Sequence, residues 1–410
     1  MRRAAIVLVV VTGALFLAAA SLAQGPGVTA QSPRAPAARP PMKIGMISHL
    51  TGVYAQQGKD EVDGAKLALD EAKWEVAGRQ VDLVIVDDQG EPSVTVTKAR
   101  KLVEQDQVHA AAGILWSPSG LAIRNYMDAQ RVPMIFTGTA VRELTQERYS
   151  PYIFRVSFAT GQEMRPFGRY VAERLGYKKA VAFSFDSPFG REQVAYFKEG
   201  FEEAGGKVIQ EAFTGVATPD FAPYLPTLKV NEADVILAIW AGAAAVRLFT
   251  QWDEFGYRQR LPMVAFGGGM DEPIIDVLGE KALGIISPYH YAVAIDTAEN
   301  RRFKNAYRQK YGKETGAMAE QGYVAINVLL RAARAIGGDV ENKERFSKAI
   351  EEVRFEAPRG PFRFDAYHNP IQNFYITQVK KSEGKVQKVV IDVMPELEQY
   401  WPKGKPKSQR

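Results

Sequence analysis

The run KIGMISHLTGVYAQQGKDEVDGAKLALDEAKWEVAGRQVDLVIVDD, residues 43–88, carries two kinds of hydrophobic spacing in one unit. Ile44 to Ser48 is a short apolar run and Val81 to Val86 a continuous β-prone one, while Val62, Ala65, Leu69 and Ala72 between them recur at helical steps. Strands that are apolar at consecutive positions are covered on both faces, as in a parallel sheet flanked by helices. The run therefore reads as β-α-β, the repeating unit of a doubly wound α/β domain.

The same alternation continues on both sides of a midpoint near residue 157. A helix is expected over Val94 to Glu104, a strand over His109 to Leu115, a helix over Leu121 to Ala129 and a strand over Pro133 to Phe136. A second series begins after Tyr152 to Ser157. It predicts helix Met164 to Leu175, strand Ala180 to Phe185, helix Arg191 to Ala204, strand Lys207 to Phe213 and helix Phe221 to Lys229. Strand Asp234 to Ile239, helix Ala243 to Phe255 and strand Pro262 to Phe266 complete it. Beyond Gly284 to Ser287 the pattern turns helical. Phe303, Tyr307 and Tyr311 form one stripe and Tyr323, Ile326 and Leu330 another, both read as core faces. Strands return at Phe362 to Phe364, Phe374 to Val379 and Val386 to Val393, so the chain is expected to revisit each of two α/β lobes. Ligands of such sheets bind outside the carboxyl ends of the strands, here facing each other across a cleft.

The N-terminus sets the compartment. Arg2 and Arg3, the apolar stretch Ala4 to Ala20 and the small residues of Ser21-Leu22-Ala23 predict a secretory signal peptide over 1–23. The Gly-, Pro- and Ala-rich segment 24–42 reads as a disordered leader. The 410 residues contain no cysteine, which removes disulfides, thiolate nucleophiles, Cys-based zinc sites and a lipid-bearing cysteine. A free periplasmic protein of a Gram-negative bacterium is expected. The net charge of +5 is concentrated at the ends, in Arg2, Arg3, Arg34 and Arg39 and in a basic tail over 399–410, so nucleic acid is not an expected partner.

Catalytic signatures were sought in vain. There is no Gly-x-Ser-x-Gly elbow, no phosphate loop, no Gly-x-Gly-x-x-Gly and no His-Glu-x-x-His; Gly267-Gly268-Gly269 reads as a backbone turn. His49, His109, His290 and His368 are far apart and lack companion metal ligands, though His49 and His290 both follow strands. No metal or other cofactor is expected. The rival reading from another class is an exported hydrolase using the strand-end carboxylates Asp87 and Asp186 as acid and base; no nucleophile or metal constellation accompanies them.

The turns themselves carry a resemblance. His49-Leu50-Thr51-Gly52-Val53-Tyr54-Ala55-Gln56-Gln57-Gly58 leads into a helix with Asp63-Gly64-Ala65, and Val86-Asp87-Asp88, Gly113-Ile114-Leu115-Trp116-Ser117 and Asp186-Ser187-Pro188-Phe189-Gly190 follow in order. This resembles the periplasmic leucine/isoleucine/valine-binding proteins of branched-chain amino acid ABC importers, with Val53 in place of the usual Pro, over about Lys43 to Val393. The resemblance implies a type I periplasmic binding protein: two Rossmann-like lobes joined by hinge strands, closing on a ligand. Lobe 1 would be 43–157 plus 288–355 and lobe 2 158–287 plus 356–398. It implies a monomer that captures a branched-chain amino acid or similar small carboxylate between its lobes and hands it to an ABC-type membrane permease, or a sensor that passes its closed form to a receptor.

Site residues follow from the same resemblance. Ser117 would hold the ligand carboxylate, with backbone N–H groups around Thr139 and Ala140 completing the cradle, a chemistry that suits an anion at a strand-to-helix turn. Phe189 falls where a second-lobe Tyr closes over the ligand. Gln57 and Trp116 would line the first lobe and Trp240 the second, and Gly268 would face the ligand. Amino-acid binders of this kind carry an acidic residue after the strand near Phe266 to meet the ligand ammonium, and this chain has Gly267 to Gly269 there. A buried ammonium without a carboxylate is costly. Either Asp271, Glu272 or Glu320 substitutes, or the ligand is an aromatic or aliphatic acid without an amine.

Overall fold

Side chains alternate across strand β1 (Met42–Ser48), and this places a buried layer on each of its faces. Ile44 and Met46 join one buried cluster with Ala65 and Leu69 of helix α1 (Ala55–Glu71); Ile47 joins another with Ala99, Leu102, Ile123 and Met127. The second cluster is supplied by α2 (Pro92–Arg100), which runs on to Gln105 as a π-helical turn, and by α3 (Ser117–Ala129). The structure, a computed structural model, describes residues 39–401 except 53, 147 and 383. The expected signal peptide lies outside these residues, as do the leader up to residue 38 and the tail from residue 402. Among the described residues, no helix is long and apolar enough to cross a membrane.

The first sheet adds β2 (Glu75–Val76), β3 (Arg79–Asp87), β4 (Ala110–Gly113), β5 (Met134–Phe136) and β6 (Ile153–Arg155). Its order is β2-β3-β1-β4-β5-β6, parallel except for the short antiparallel β2 at one edge. The order reverses at β1, and the crevice between β1 and β4 is the switch point where such sheets bind ligands.

The second half repeats this plan. After α4 (Met164–Glu173) come β7 (Lys179–Phe185), α5 (Pro188–Glu203), β8 (Lys207–Thr214), β9 (Val235–Ile239), α6 (Gly242–Glu254), β10 (Met263–Ala265), α7 (Glu272–Leu278) and β11 (Ile286–Tyr289). They align in parallel as β8-β7-β9-β10-β11, with the reversal at β7. The helix expected over Phe221 to Lys229 does not form. Pro223 and Pro226 lack the backbone N–H and crowd the preceding turn, and the segment holds a single 3-10 turn at Leu225–Thr227.

The chain then returns to the first sheet. Following α8 (Ala298–Tyr311), helix α9 (Ala317–Ala335) packs along α1 and against β4, and α10 (Lys343–Glu351) packs on α9. Phe303, Tyr307, Tyr323, Ile326 and Leu330 are buried, as the stripes required, and Tyr311 is half-buried. The α1–α9 contact is backbone-close. A Cβ on Gly64 would stand 1.8 Å from the Ala319 carbonyl oxygen, and one on Gly322 would stand 2.0 Å from that of Glu61. Strands β12 (Arg354–Ala357), β13 (Gly360–Phe364), β14 (Pro370–Ser382) and β15 (Lys385–Leu397) extend the second sheet antiparallel, with β14 paired to β11.

Candidate functional site

The carboxyl ends of both sheets meet in one cavity. Loops after β1, β4 and β5 contribute Tyr54 and Gln57, Leu115 to Ser117, and Gly138. The ends of β7, β9, β10 and β11 contribute Phe185, Ala241, Phe266 with Gly268, and Tyr289. Phe158 from the segment after β6, Phe189 of α5, and Met318 and Gln321 of α9 complete the wall around about 550 Å³ of space, part of it open to solvent. That makeup, largely apolar and aromatic with a few polar groups, suits a small organic ligand.

The turn after β4 is strained in a way that aims Trp116 and Ser117. Gly113 has φ +118° and Ile114 φ +70°, a left-handed conformation that a β-branched residue adopts only at a cost on the order of 1–3 kcal/mol. The strain is held by the surroundings. Ile114 N–H donates to Ile47 O at 2.9 Å, and Ile114 O accepts from Gly138 N–H, Thr139 N–H and the Thr139 hydroxyl at 3.1–3.2 Å. Gly138 must be glycine, since a Cβ there would meet Leu115 Cα at 2.7 Å. Ser117 is the first residue of α3, where the helix's leading N–H groups have no intrahelical partner and the helix dipole favours an anion.

Aromatic rings make the rest of the wall. Phe185 and Phe189 stack with centroids 5.9 Å apart, and Phe266 meets Phe189 edge-on at 5.2 Å. Tyr54 and Trp116 lie 5.9 Å apart, and Trp116 reaches Phe185 at 6.2 Å, so the two walls touch. Seven of the fifteen lining residues are aromatic, and among the described residues no charged side chain lines the cavity. Beneath the floor, the Glu61 carboxylate accepts from the Ser48 and Thr137 hydroxyls, and burial pushes its pKa up to about 7. His49 Nδ1 lies 2.5 Å from Asp88 Oδ1, both side chains fully buried.

Of the expected site residues, Gln57, Trp116, Ser117, Phe189 and Gly268 stand on the cavity wall, and four others lie behind it. The Thr139 N–H and hydroxyl are both spent on Ile114 O. The Ala140 carbonyl accepts from the buried Arg155 guanidinium at 2.5 Å. Trp240 backs the wall, edge-on to Phe185 at 5.8 Å and to Phe221 at 4.7 Å. Glu320 is sealed in an ion pair with Arg359, both side chains fully buried. Asp271 caps α9 by accepting from Ala317 N–H at 2.9 Å, and Glu272 faces Lys388 at 3.1 Å and accepts from Val293 N–H at 2.8 Å. None of the three candidate partners for an ammonium lines the cavity.

Asp87 and Asp186 do not converge on the cavity either. Asp87 accepts from Leu50 N–H, Gln89 N–H and the Thr51 hydroxyl, and Asp186 pairs with Arg191 on the surface. Sequence reasoning did not assign Phe158, Phe185, Phe266 and Tyr289 to the site, although the strand-end rule points at the last three. Met318 and Gln321 carry no such signal, because α9 reads as buried all round.

Comparison with known proteins identifies the family and the fold. The profile of the periplasmic binding protein family matches residues 41–385. A Leu/Ile/Val-binding protein homologue of Brucella melitensis is 29% identical over 351 residues, covering 83% of this chain and 88% of that one. Among solved structures, an ABC transporter substrate-binding protein from Sphaerobacter thermophilus superposes with a TM-score of 0.83 at 34% identity, over 88% of this chain and 99% of that one. A solute-binding protein of an ABC transporter from Rhodopseudomonas palustris, solved in complex with 3,4-dihydroxybenzoic acid, has a TM-score of 0.83 at 29% identity, covering 87% and 98%. The fold is that of the type I periplasmic binding proteins, and the chain belongs to the periplasmic binding protein family that includes the leucine/isoleucine/valine-binding proteins of ABC transporters.

Proposed function

We propose that this chain is the periplasmic solute-binding component of an ABC importer, and that its solute is an aromatic carboxylate without an amine. The observation that carries the reading is the wall itself. It is rich in aromatic faces and free of charged side chains, while Glu320, Asp271 and Glu272 are each engaged elsewhere. An amino-acid ligand would bury its ammonium there without a carboxylate partner, at a cost of several kcal/mol. An arene stacks on the rings without that penalty. Its carboxylate is placed at Ser117 Oγ and the leading N–H groups of α3. The solved relative holding a dihydroxybenzoic acid supports the same class.

In this reading the protein is exported by its signal peptide, acts as a monomer, delivers its ligand to a membrane permease and performs no catalysis. Lobe 1 (43–157 plus 288–355) and lobe 2 (158–287 plus 356–398) close over the ligand, with Trp116 and Phe185 as facing jaws. The deciding experiment is calorimetric titration with benzoate, para-hydroxybenzoate and leucine. The aromatic acids are expected to bind and leucine to give no heat. Leucine binding with both aromatic acids silent would overturn the assignment in favour of a branched-chain amino acid.

A further inference from the structure

Gln321 stands in the second turn of α9, fully buried, and is one of the residues that line the cavity. Its Nε2 lies 3.0 Å from His290 Nε2, and Tyr289 lines the same cavity. Burial, reinforced by the positive charges of Arg359 and Lys388, holds the His290 pKa well below the usual histidine value. The ring is therefore neutral, and in the tautomer with its proton on Nδ1 its Nε2 accepts from the amide nitrogen of Gln321. The amide oxygen, Oε1, is buried and has no hydrogen-bond partner among the described residues.

A buried acceptor without a partner costs about as much as a lost hydrogen bond, so native proteins rarely keep one that nothing uses. Packing alone does not call for an amide here, since Met318 on the same helix lines the same wall with an apolar chain. Gly268 belongs to the same wall, where a Cβ would meet Phe266 Cε1 at 2.5 Å and the Tyr289 hydroxyl at 3.2 Å.

We propose that Gln321 Oε1 accepts a hydrogen bond from a ring hydroxyl of the bound acid, making this protein selective for hydroxylated aromatic carboxylates over unsubstituted ones. The inference deepens the aromatic-acid reading and rests on it. Ser117 fixes the carboxylate and Gln321 reads the substituent, so two polar positions on separate helices set the orientation of an otherwise apolar ring.

The test is calorimetric titration with benzoate, meta- and para-hydroxybenzoate and the matching fluorobenzoates, on the unmodified chain and on Gln321→Leu and Gln321→Met. Fluorine is similar in size to a hydroxyl but donates no hydrogen. At least one hydroxybenzoate is expected to bind the unmodified protein roughly tenfold or more tightly than benzoate and its fluoro counterpart. The variants are expected to lose the preference for the hydroxy acid over its fluoro counterpart. Equal affinities for the hydroxy and fluoro acids in the unmodified protein would overturn the proposal whether or not the variants fold, and so would a preference that survives in a folded variant. In both cases benzoate still binds and the aromatic-acid reading stands. If the aromatic acids are silent and leucine binds, that reading fails and takes this inference with it.

Discussion

Glu320 of α9 and Arg359 of the β12–β13 turn form a fork-to-fork ion pair from which solvent is excluded. Arg359 also donates to Val156 O at 2.6 Å and to Gln372 Oε1 at 2.8 Å, so one guanidinium ties together α9, the segment leaving the first sheet, and β14 of the second. It thus joins a helix packed on the first sheet to a strand of the second, beside the segment at Val156 that leaves the first sheet, and the pairing with Arg359 is why Glu320 has no charge to offer a ligand.

Removing one member strands the other. Glu320→Gln leaves a guanidinium buried without its counter-charge and is expected to lower unfolding free energy by about 3–5 kcal/mol. Pairing it with Arg359→Met should restore much of that loss, because two charges are then absent together. Urea denaturation of the two single variants and the double variant measures the coupling. Additive losses would show that the contact carries little energy.

Glu163 supplies a pH dependence. It is fully buried and accepts from Gln193 Nε2 at 2.5 Å through one oxygen, while the other has no hydrogen-bond partner among the described residues. Burial pushes its pKa up from 4.5 to about 8. The folded state therefore holds a proton that the unfolded chain releases first, so stability is full below 4.5, falls as pH rises through the interval, and levels off above about 8. The thermal midpoint should drop across that range. Glu163→Gln should flatten the drop, and a variant with an unchanged slope would assign the effect to other groups.

The fold was legible because it is built from repeated local signals. Ile44 to Ser48 and Val81 to Val86 announce strands without help from distant residues, and the same holds for Ala180 to Phe185. Phe221 to Lys229 misled because its apolar spacing imitates a helix while Pro223 and Pro226 forbid one. The candidate site was legible only near strand ends and the first turns of the helices that follow them, at Gln57, Trp116, Ser117, Phe189 and Gly268. Gln321 was not, since its role depends on α9 returning across the first sheet some 200 residues after the strands it covers. Glu320 shows the complementary error: an acid near the cavity in sequence order becomes unavailable through Arg359, a partner that spacing cannot reveal.

Ser117 tests the placement of the carboxylate. Ser117→Ala removes one hydroxyl at the start of α3 and should leave the fold intact, as among the described residues the side chain makes no hydrogen bond that holds an element. Affinity for para-hydroxybenzoate should weaken by about 1–3 kcal/mol through loss of a charge-assisted bond. Calorimetry gives the change directly. An unaltered dissociation constant would move the carboxylate elsewhere on the wall.

Gly64 connects helix packing to the site. On an exposed helix, Gly→Ala would stabilise by roughly 0.5–1 kcal/mol through reduced backbone entropy. Here the added Cβ would stand 1.8 Å from Ala319 O, with Ala319 Cα at 2.9 Å, and a helix backbone cannot step aside as a flexible side chain can. Overpacking costs typically 1–3 kcal/mol, so the clash outweighs the entropy gain and Gly64→Ala should destabilise. The strain is relieved by moving α9 off α1, and α9 carries Met318 and Gln321 into the cavity wall. Thermal midpoint and ligand affinity should therefore fall together, although residue 64 does not line the cavity. A variant with a raised midpoint and unchanged affinity would show that the two helices are not held at backbone distance.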